Sequence, residues 1–164
     1  MNLRGKRALV TGAAKRIGAA IARSLAERGY DILLHCHRSL AEAQGLAREL
    51  KKLGVDVEIL RADLNRESGT LALAKNALKK GPIDLLINNA SLYERTPFEK
   101  LILKDWNRCL EVNLTSVFLL SQKIGLAMRR RGGRIINIAD MSGEQPYRDY
   151  LPYCVSKGAL LSLT

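Results

Sequence analysis

The sequence predicts an α/β fold built on a doubly wound parallel sheet. Short runs of branched and apolar residues alternate with longer segments of helical period, which is the order expected of βαβ units. Glycines stand where four helical segments should stop, at positions 29, 54, 81 and 132. The 164 residues, of which 47% are hydrophobic and 26% charged, suit a single domain over residues 1–164.

Strands and helices are predicted in strict alternation along the chain. The predicted strands are 7–10, 31–35, 55–60, 83–88 and 134–139. The predicted helices are 17–28, 40–53, 67–80, 104–131 and a last one that begins near Tyr153. The segment 104–131 is apolar on several faces, as expected of a helix that packs on the sheet and against a partner subunit. Parallel sheets bind ligands beyond the carboxyl ends of their strands, so site residues should follow the strands.

The formal net charge of +11 raises the question of an anionic partner. The basic residues are spread over predicted helix faces, as in RELKK and MRRRGGR, which favours a solvated surface over a nucleic-acid footprint. An anionic small ligand or cofactor would benefit from the same charge. We therefore expect a small-molecule substrate, with no nucleic acid and no membrane as partner.

The N-terminus and the cysteines predict a cytoplasmic protein. MNLRGKRALVTGAA lacks the long apolar core and cleavage site of a signal peptide, and no apolar run approaches the ~18 residues of a membrane helix. Cys36, Cys109 and Cys154 are odd in number and widely spaced, which suits reduced thiols better than disulfides or a zinc site. We expect no bound metal.

Two loops after predicted strands have the composition of a nucleotide site. In ALVTGAAKRIG, Gly12 follows the first strand and Gly18 opens a helix, so backbone can approach a pyrophosphate at the helix N-terminus. A plain strand-to-helix turn would also explain such a pair, but its place in the first βα unit favours phosphate binding. After the third strand, Asp63 and Leu64 could border an adenine, or could simply begin a helix.

The end of the second strand favours NADPH over NADH. An enzyme for the non-phosphorylated cofactor usually has an acidic residue there to hold the ribose hydroxyls, and HCHRS contains none. His37, Arg38 and Ser39 offer a cation and donors suited to a 2′-phosphate. Lys15 and Arg16 add positive charge nearby. The alternative is a solvated Arg38, which leaves the missing carboxylate unexplained.

Several motifs together resemble the short-chain dehydrogenase/reductases. TGAAKRIG, ADL, NNAS, EVNL and YCVSK occur in the order and spacing of that family, over nearly the whole chain. The resemblance implies a Rossmann-type fold and a nicotinamide cofactor. It also implies that Tyr153 donates a proton, that Lys157 holds the nicotinamide ribose, and that Asn113 supports a water-linked proton path. The cofactor contacts that it implies, with those above, are Gly12, Lys15, Arg16, Ile17, Gly18, His37, Arg38, Ser39, Asp63, Leu64, Asn89, Ala90, Ser91, Tyr153 and Lys157.

The chemistry of a Tyr and Lys pair agrees with these roles. Residues at i and i+4 share one helix face, and we expect the ammonium of Lys157 to lower the pKa of the Tyr153 phenol towards the working range. An isolated YxxxK motif is more often a surface pair. Here the other family motifs support the assignment of Tyr153 and Lys157 to the site. Asn89 or Asn113 alone could equally be an ordinary polar residue that fixes a turn or helix.

Two departures from the common family pattern face the same pocket. The family usually has glycine at Arg16 and serine at Asp140. In carbonyl reduction negative charge develops on oxygen, so a carboxylate at Asp140 would oppose it unless protonated. Reduction of a C=N bond instead requires a proton at nitrogen, and an aspartate beside Tyr153 can polarise the phenol, order a water or relay a proton. Asp140 is therefore a fourth candidate catalytic residue, with Tyr153, Lys157 and Asn113.

The same departures resemble the pteridine reductase branch of the family. That resemblance implies NADPH-dependent reduction of dihydropterin to tetrahydropterin. Tyr93 would stack on the pterin, Arg16 would contact both cofactor phosphate and pterin, and Ser91 would bond to either ligand; Asp140 and Tyr153 complete the implied substrate site. The alternatives are that Tyr93 packs on a loop and that Asp140 caps a turn in DMSG.

The sequence is also compatible with other functions and with a longer chain. The strongest rival is reduction of a carbonyl, such as that of a 3-oxoacyl thioester. A non-catalytic NADP-binding module comes next, and a nucleic-acid-binding role third. The resemblance further implies a homotetramer, and two more strands with a substrate-covering loop beyond Thr164. We therefore expect residues 1–164 to be part of a truncated or incompletely represented protein with its C-terminal strands missing.

Overall fold

The computed structural model describes residues 3–164, in which strands and helices alternate as predicted. No helix in that range is long and apolar enough to cross a membrane. The strands are β1 (Arg7–Val10), β2 (Asp31–Cys36), β3 (Val57–Arg61), β4 (Leu85–Asn88) and β5 (Arg134–Asn137). The helices are α1 (Arg16–Glu27), α2 (Leu40–Lys51), α3 (Glu67–Lys79), α4 (Leu103–Leu110), α5 (Ser116–Met128) and α6 (Leu151–Leu163).

The five strands form one parallel sheet in the order β3-β2-β1-β4-β5. Ala8 of β1 pairs with Ile32 of β2 on one side and with Leu85 of β4 on the other. The first three strands therefore extend the sheet from β1 to one side, and β4 and β5 then extend it from β1 to the other side. Such a reversal leaves a crevice at the carboxyl ends of β1 and β4, where open α/β sheets bind their ligands.

Both faces of the sheet are covered by helices. Side chains alternate along each strand, so Val10 and Leu34 pack against α1 and α2, whereas Leu9 and Leu33 pack against α3 and α5. Each of these four side chains is at most 2% exposed, and burial of such a side chain contributes about 1.5–3 kcal/mol. The predicted doubly wound α/β fold is confirmed, and its core fixes the strand ends that carry the site.

The largest differences between predicted and observed boundaries are in three strands and one helix. β3 and β4 begin two residues later than predicted, and β5 ends two residues earlier. The predicted continuous helix over 104–131 is wrong in the middle, where a π-helical turn, Glu111–Thr115, separates α4 from α5. α6 begins at Leu151, because Pro152 suits the first turn of a helix. Positive φ angles are found at the four predicted helix stops, Gly29, Gly54, Gly81 and Gly132.

Candidate active site

A cavity of about 580 Å³ opens at the carboxyl ends of the strands. Six basic side chains line it, against two acidic ones, Asp63 and Glu94. Of the residues predicted to bind a cofactor, twelve line this cavity: Gly12, Lys15, Arg16, Ile17, Gly18, His37, Arg38, Asp63, Leu64, Asn89, Ala90 and Ser91. Ser39, Tyr153 and Lys157 do not line it. Ser39 lies at the N-cap position of α2.

The turn from β1 to α1 is packed backbone against backbone. Gly12 has φ +62°, and a Cβ added there would lie 2.9 Å from the Cα of Ala90. A Cβ at Gly18 would lie 2.3 Å from the Gly12 carbonyl oxygen. The Asn89 amide donates to the Thr11 carbonyl oxygen at 2.9 Å and ties this turn to the end of β4. Side chains are excluded, so the first turn of α1 is left open to an anion.

Arg16 occupies a backbone conformation that favours glycine. Its φ is +51°, in the left-handed region, where a non-glycine residue costs about 1–3 kcal/mol. This explains why the common family pattern has glycine at this position. The side chain of Arg16 is exposed and lines the cavity. The arginine thus adds positive charge beside the helix N-terminus at the expense of backbone strain.

The basic side chains near the end of β2 differ in how far they are already paired. Lys15 Nζ lies 2.5 Å from a carboxylate oxygen of Glu42, and His37 Nδ1 lies 3.8 Å from Asp63 Oδ1. Arg38 has no ion-pair partner among residues 3–164. Its guanidinium is therefore the charge at this end of the cavity most available to an anionic group.

Asp140 and Tyr153 are in direct contact beyond the cavity. The Tyr153 hydroxyl donates to Asp140 Oδ2 at 2.9 Å, and the Ser142 backbone N–H donates to Asp140 Oδ1 at 2.8 Å. Asp140 therefore also caps the short 3-10 helix Met141–Gly143, the alternative weighed from the sequence. Burial would raise the pKa of Asp140, but the hydrogen bonds from Ser142 and Tyr153 and the charge of Lys157 outweigh it and lower that pKa. The carboxylate is thus ionised at neutral pH.

The pKa of Tyr153 is not lowered towards the working range as predicted: its net shift in this structure is upward. Burial raises that pKa, and the hydrogen bond and negative charge of Asp140 raise it further. Lys157 Nζ donates to the Ile138 carbonyl oxygen at 2.7 Å and lies 5.6 Å from the centre of the Tyr153 ring. The lysine is 4% exposed, and burial lowers its own pKa. Tyr153 is therefore a protonated phenol.

Asn113 lies in the π-helical turn and joins two parts of the site. Its Oδ1 accepts from the Leu92 backbone N–H at 2.7 Å, and its Nδ2 donates to the Leu92 carbonyl at 2.9 Å and to Ser156 Oγ at 3.1 Å. The side chain is 1% exposed. Asn113 thereby fixes the loop after β4 against the helix that carries Tyr153 and Lys157.

Tyr93 belongs to a group of three tyrosines. Its ring is stacked on that of Tyr150, with centres 4.4 Å apart and planes 9° apart, and it meets the Tyr153 ring edge to face at 4.7 Å. Tyr93 is 55% exposed, so part of its ring remains accessible beside the phenol. Tyr150 was not predicted as a site residue. Its place one helical turn before Tyr153 was the available signal.

Six further residues of the cavity were also missed. Glu94 and Arg108 form an ion pair on its wall, and His35 is 2% exposed at its floor. A histidine near the end of a buried strand was a usable signal for His35, whereas contacts from the loop after β4 and from α4 depend on tertiary packing. The six residues are His35, Asn65, Leu92, Glu94, Arg108 and Val112.

Comparison with known proteins settles the family. The statistical model of a family described as short chain dehydrogenase matches residues 6–164. The chain belongs to the short-chain dehydrogenase family. The family prediction is confirmed. The pteridine reductase branch is not tested by this match and stays a prediction.

Named relatives of this short-chain dehydrogenase include gluconate 5-dehydrogenase of Gluconobacter oxydans, 35% identical over 172 residues and 99% of the chain. Another is 3-oxoacyl-acyl-carrier-protein reductase of Aggregatibacter actinomycetemcomitans, 32% identical over 93% of the chain. The chain spans 64% of the length of each. A blue fluorescent protein from a metagenomic library, solved in complex with NADPH, is 33% identical with a TM-score of 0.91, covering 100% of this chain and 68% of that one.

Proposed function

We propose that this short-chain dehydrogenase uses NADPH to reduce a C=N bond in a pterin ring, converting a dihydropterin to a tetrahydropterin. The observation that carries the proposal is the 2.9 Å contact between the Tyr153 hydroxyl and Asp140. It places an ionised carboxylate beside the proton donor. Such a carboxylate repels the oxyanion that forms when a carbonyl is reduced, and it accepts hydrogen bonds from the N–H groups of a pterin.

The residues of the cavity fit NADPH. The Gly12 turn leaves backbone amides at the start of α1 for a pyrophosphate. Arg38 has no competing carboxylate among residues 3–164, and a guanidinium can meet a 2′-phosphate in a fork. The NADPH complex of the metagenomic relative supports the same cofactor. When bound, NADPH would supply the hydride for the carbon of the C=N bond.

The chain's own residues would supply the matching proton. Tyr153 keeps its proton because burial and Asp140 raise its pKa, so a neutral donor is ready for the ring nitrogen. Transfer of that proton leaves a phenolate, which the ammonium of Lys157 stabilises until the phenol regains a proton from solvent. Lys157 is held for this by the Ile138 carbonyl. One hydride at carbon and one proton at nitrogen complete the reduction.

The exposed part of the Tyr93 ring would support a flat substrate. A ring stacked there lies beside the Tyr153 phenol, and stacking contributes about 1 kcal/mol beyond area burial. Arg16 would contact cofactor phosphate and pterin, and Ser91 would bond to either ligand, since both line the adjoining cavity. Asn113 would keep the Leu92 loop against the helix of Tyr153.

Reduction of a carbonyl is the second candidate. Two relatives, a gluconate 5-dehydrogenase and a 3-oxoacyl-acyl-carrier-protein reductase, favour it, and a protonated Tyr153 suits an incipient alkoxide. Turnover with NADPH separates the candidates. Reduction of dihydrobiopterin or dihydromonapterin, without reduction of an acetoacetyl thioester, supports the pterin proposal, and the reverse result rejects it. NADPH binding without turnover of either class favours a non-catalytic module.

Variants at Asp140 and Tyr153 test the mechanism directly. We predict that Tyr153→Phe abolishes reduction of every substrate, because the proton donor is lost. Asp140→Ser should harm pterin reduction selectively, since it removes the carboxylate and leaves a neutral donor. Asp140→Asn is the matched control that keeps the size and the cap to Ser142 while removing the charge. Steady-state kinetics on a pterin and a ketone measure both effects. An equal loss on the two substrates contradicts the role of Asp140.

A cytoplasmic location and a homotetramer complete the proposal. The three cysteines are free and buried, as expected of a reduced compartment. Phe118 and Leu126 on α5 are 44% and 62% exposed, which supports an interface on that helix. Sedimentation of the protein measures its assembly, and a monomer at micromolar concentration rejects the tetramer.

A further inference from the structure

One side chain of β2 holds the turn that precedes α1. His35 Nδ1 lies 3.1 Å from the Gly12 backbone nitrogen, and Nε2 lies 3.3 Å from the Ala62 carbonyl oxygen. The His35 carbonyl also accepts from the Ala13 N–H at 2.9 Å. Two successive amides of the turn after β1 are thus bound to a single residue of the neighbouring strand.

The two partners of the imidazole determine where its hydrogen lies. A backbone N–H can only donate and a carbonyl can only accept, so Nδ1 is unprotonated and Nε2 carries the hydrogen. Burial lowers the pKa of His35 to about 4, against the hydrogen bond to Ala62, which would raise it. The ring therefore stays neutral at physiological pH and keeps both contacts.

The Gly12 turn needs such an acceptor. Glycine adopts many backbone conformations, and the observed φ of +62° is one of several open to it. Without Nδ1, the Gly12 amide would lose its partner, and the Thr11–Gly12 peptide would be held only by the bond from Asn89 to the Thr11 carbonyl. With both the Gly12 and Ala13 amides held by His35, the free amides that face an anion are those of the first turn of α1.

We infer that His35 is a positioning residue for the cofactor, which acts by holding the Gly12 amide through Nδ1 and so fixes the turn that receives the pyrophosphate. The inference rests on the proposal that the protein binds NADPH. It does not depend on the substrate. The contact to Ala62 fixes the tautomer, and the contact to Gly12 carries the effect on cofactor affinity.

Three substitutions separate the two contacts. His35→Asn places an amide oxygen where Nδ1 lies and so keeps the bond from Gly12. His35→Gln places its amide near Nε2 and keeps only the bond to Ala62, and His35→Leu keeps the volume and neither bond. We expect His35→Asn to bind NADPH nearly as tightly as the native protein. The other two should bind about tenfold more weakly, as for the loss of one hydrogen bond.

Titration of NADPH fluorescence and urea unfolding of each variant decide the outcome. Equal weakening in all three variants, or affinity that simply follows the loss of unfolding free energy, overturns the inference. Native affinity in His35→Leu also overturns it and leaves the proposed cofactor intact, whereas a native protein that does not bind NADPH overturns both. Should the variants fail to fold, nitrogen NMR of native His35 must show the hydrogen on Nε2, and the opposite tautomer overturns the inference.

Discussion

Asp140 divides its two oxygens between a turn and a phenol. Oδ1 accepts from the Ser142 backbone and Oδ2 from the Tyr153 hydroxyl, so the predicted cap and the predicted contact with the phenol are both present. The bond from the Ser142 N–H orients the Asp140 carboxylate so that its other oxygen faces the Tyr153 hydroxyl. A residue that replaces the usual serine can thus alter the electrostatics of the site without loss of the local turn.

The raised pKa of Tyr153 predicts a dependence of stability on alkaline pH. The unfolded phenol loses its proton near pH ~10, whereas the folded phenol keeps it, so the folded state binds more protons above that pH. The contribution is present below pH ~10 and is lost as pH rises through the folded pKa. We expect the unfolding free energy of native protein to fall, relative to that of Tyr153→Phe, as pH rises above about 10. Urea denaturation measures it, and parallel curves for the two proteins contradict the prediction.

Strain at Arg16 predicts a gain of stability when it is relieved. Arg16→Gly removes the Cβ from a residue with φ +51°, so the unfolding free energy should rise by about 1 kcal/mol. The same change removes a cation from the cavity and should weaken NADPH binding. Arg16→Lys is the matched control, since it keeps strain and charge and should change neither quantity. Thermal denaturation with cofactor titration checks both, and a destabilised Arg16→Gly would be inconsistent with strain.

The π-helical turn is the element that most alters the predicted architecture. It inserts between α4 and α5, where Asn113 turns inward to bind both backbone groups of Leu92. A regular helix over 104–131 would place side chains by the 3.6-residue period alone. The extra residue of the π turn changes that phase, so one polar side chain enters the interior with its partners. π turns occur often at functional sites.

Two glycines inside helices should respond oppositely to the same substitution. A Cβ at Gly45 of α2 meets nothing within 4 Å, so Gly45→Ala should stabilise the protein by about 0.5–1 kcal/mol through helix propensity. A Cβ at Gly69 of α3 would lie 2.1 Å from the Asp63 carbonyl oxygen, so Gly69→Ala should destabilise by about 1–3 kcal/mol. Urea denaturation measures the unfolding free energy of both variants, and each variant is the control for the other. Changes of the same sign would contradict the packing of α3 on the loop after β3.

At the scale of the molecule, net charge and local charge act together on the cofactor. The chain carries +11, and basic groups dominate the lining of the cavity. This field should attract an anionic dinucleotide from any direction and hold it where the cations converge. Arg38, without an ion-pair partner among residues 3–164, supplies the most specific part of that attraction.

Salt should therefore reduce the preference for NADPH over NADH. Screening weakens the interaction of exposed charges, and the 2′-phosphate adds charge at the exposed Arg38. We expect the ratio of NADPH to NADH affinity to fall as NaCl rises from about 50 mM to 0.5 M. Fluorescence titration of both cofactors measures the ratio. In Arg38→Ala the ratio should be low and nearly independent of salt, and an unchanged ratio in that variant would argue against the assigned contact.

The sequence by itself determined the family, the order of strands and helices, and the first turn that lines the cavity. These follow from alternation, glycine spacing and motif order, which are local properties of the chain. It also placed Asp140 and Tyr153 near one pocket. Only the tertiary structure decided that they touch, that the phenol is held protonated, and that His35 binds the Gly12 turn. Those facts depend on distances and burial between segments far apart in sequence, which periodicity does not encode.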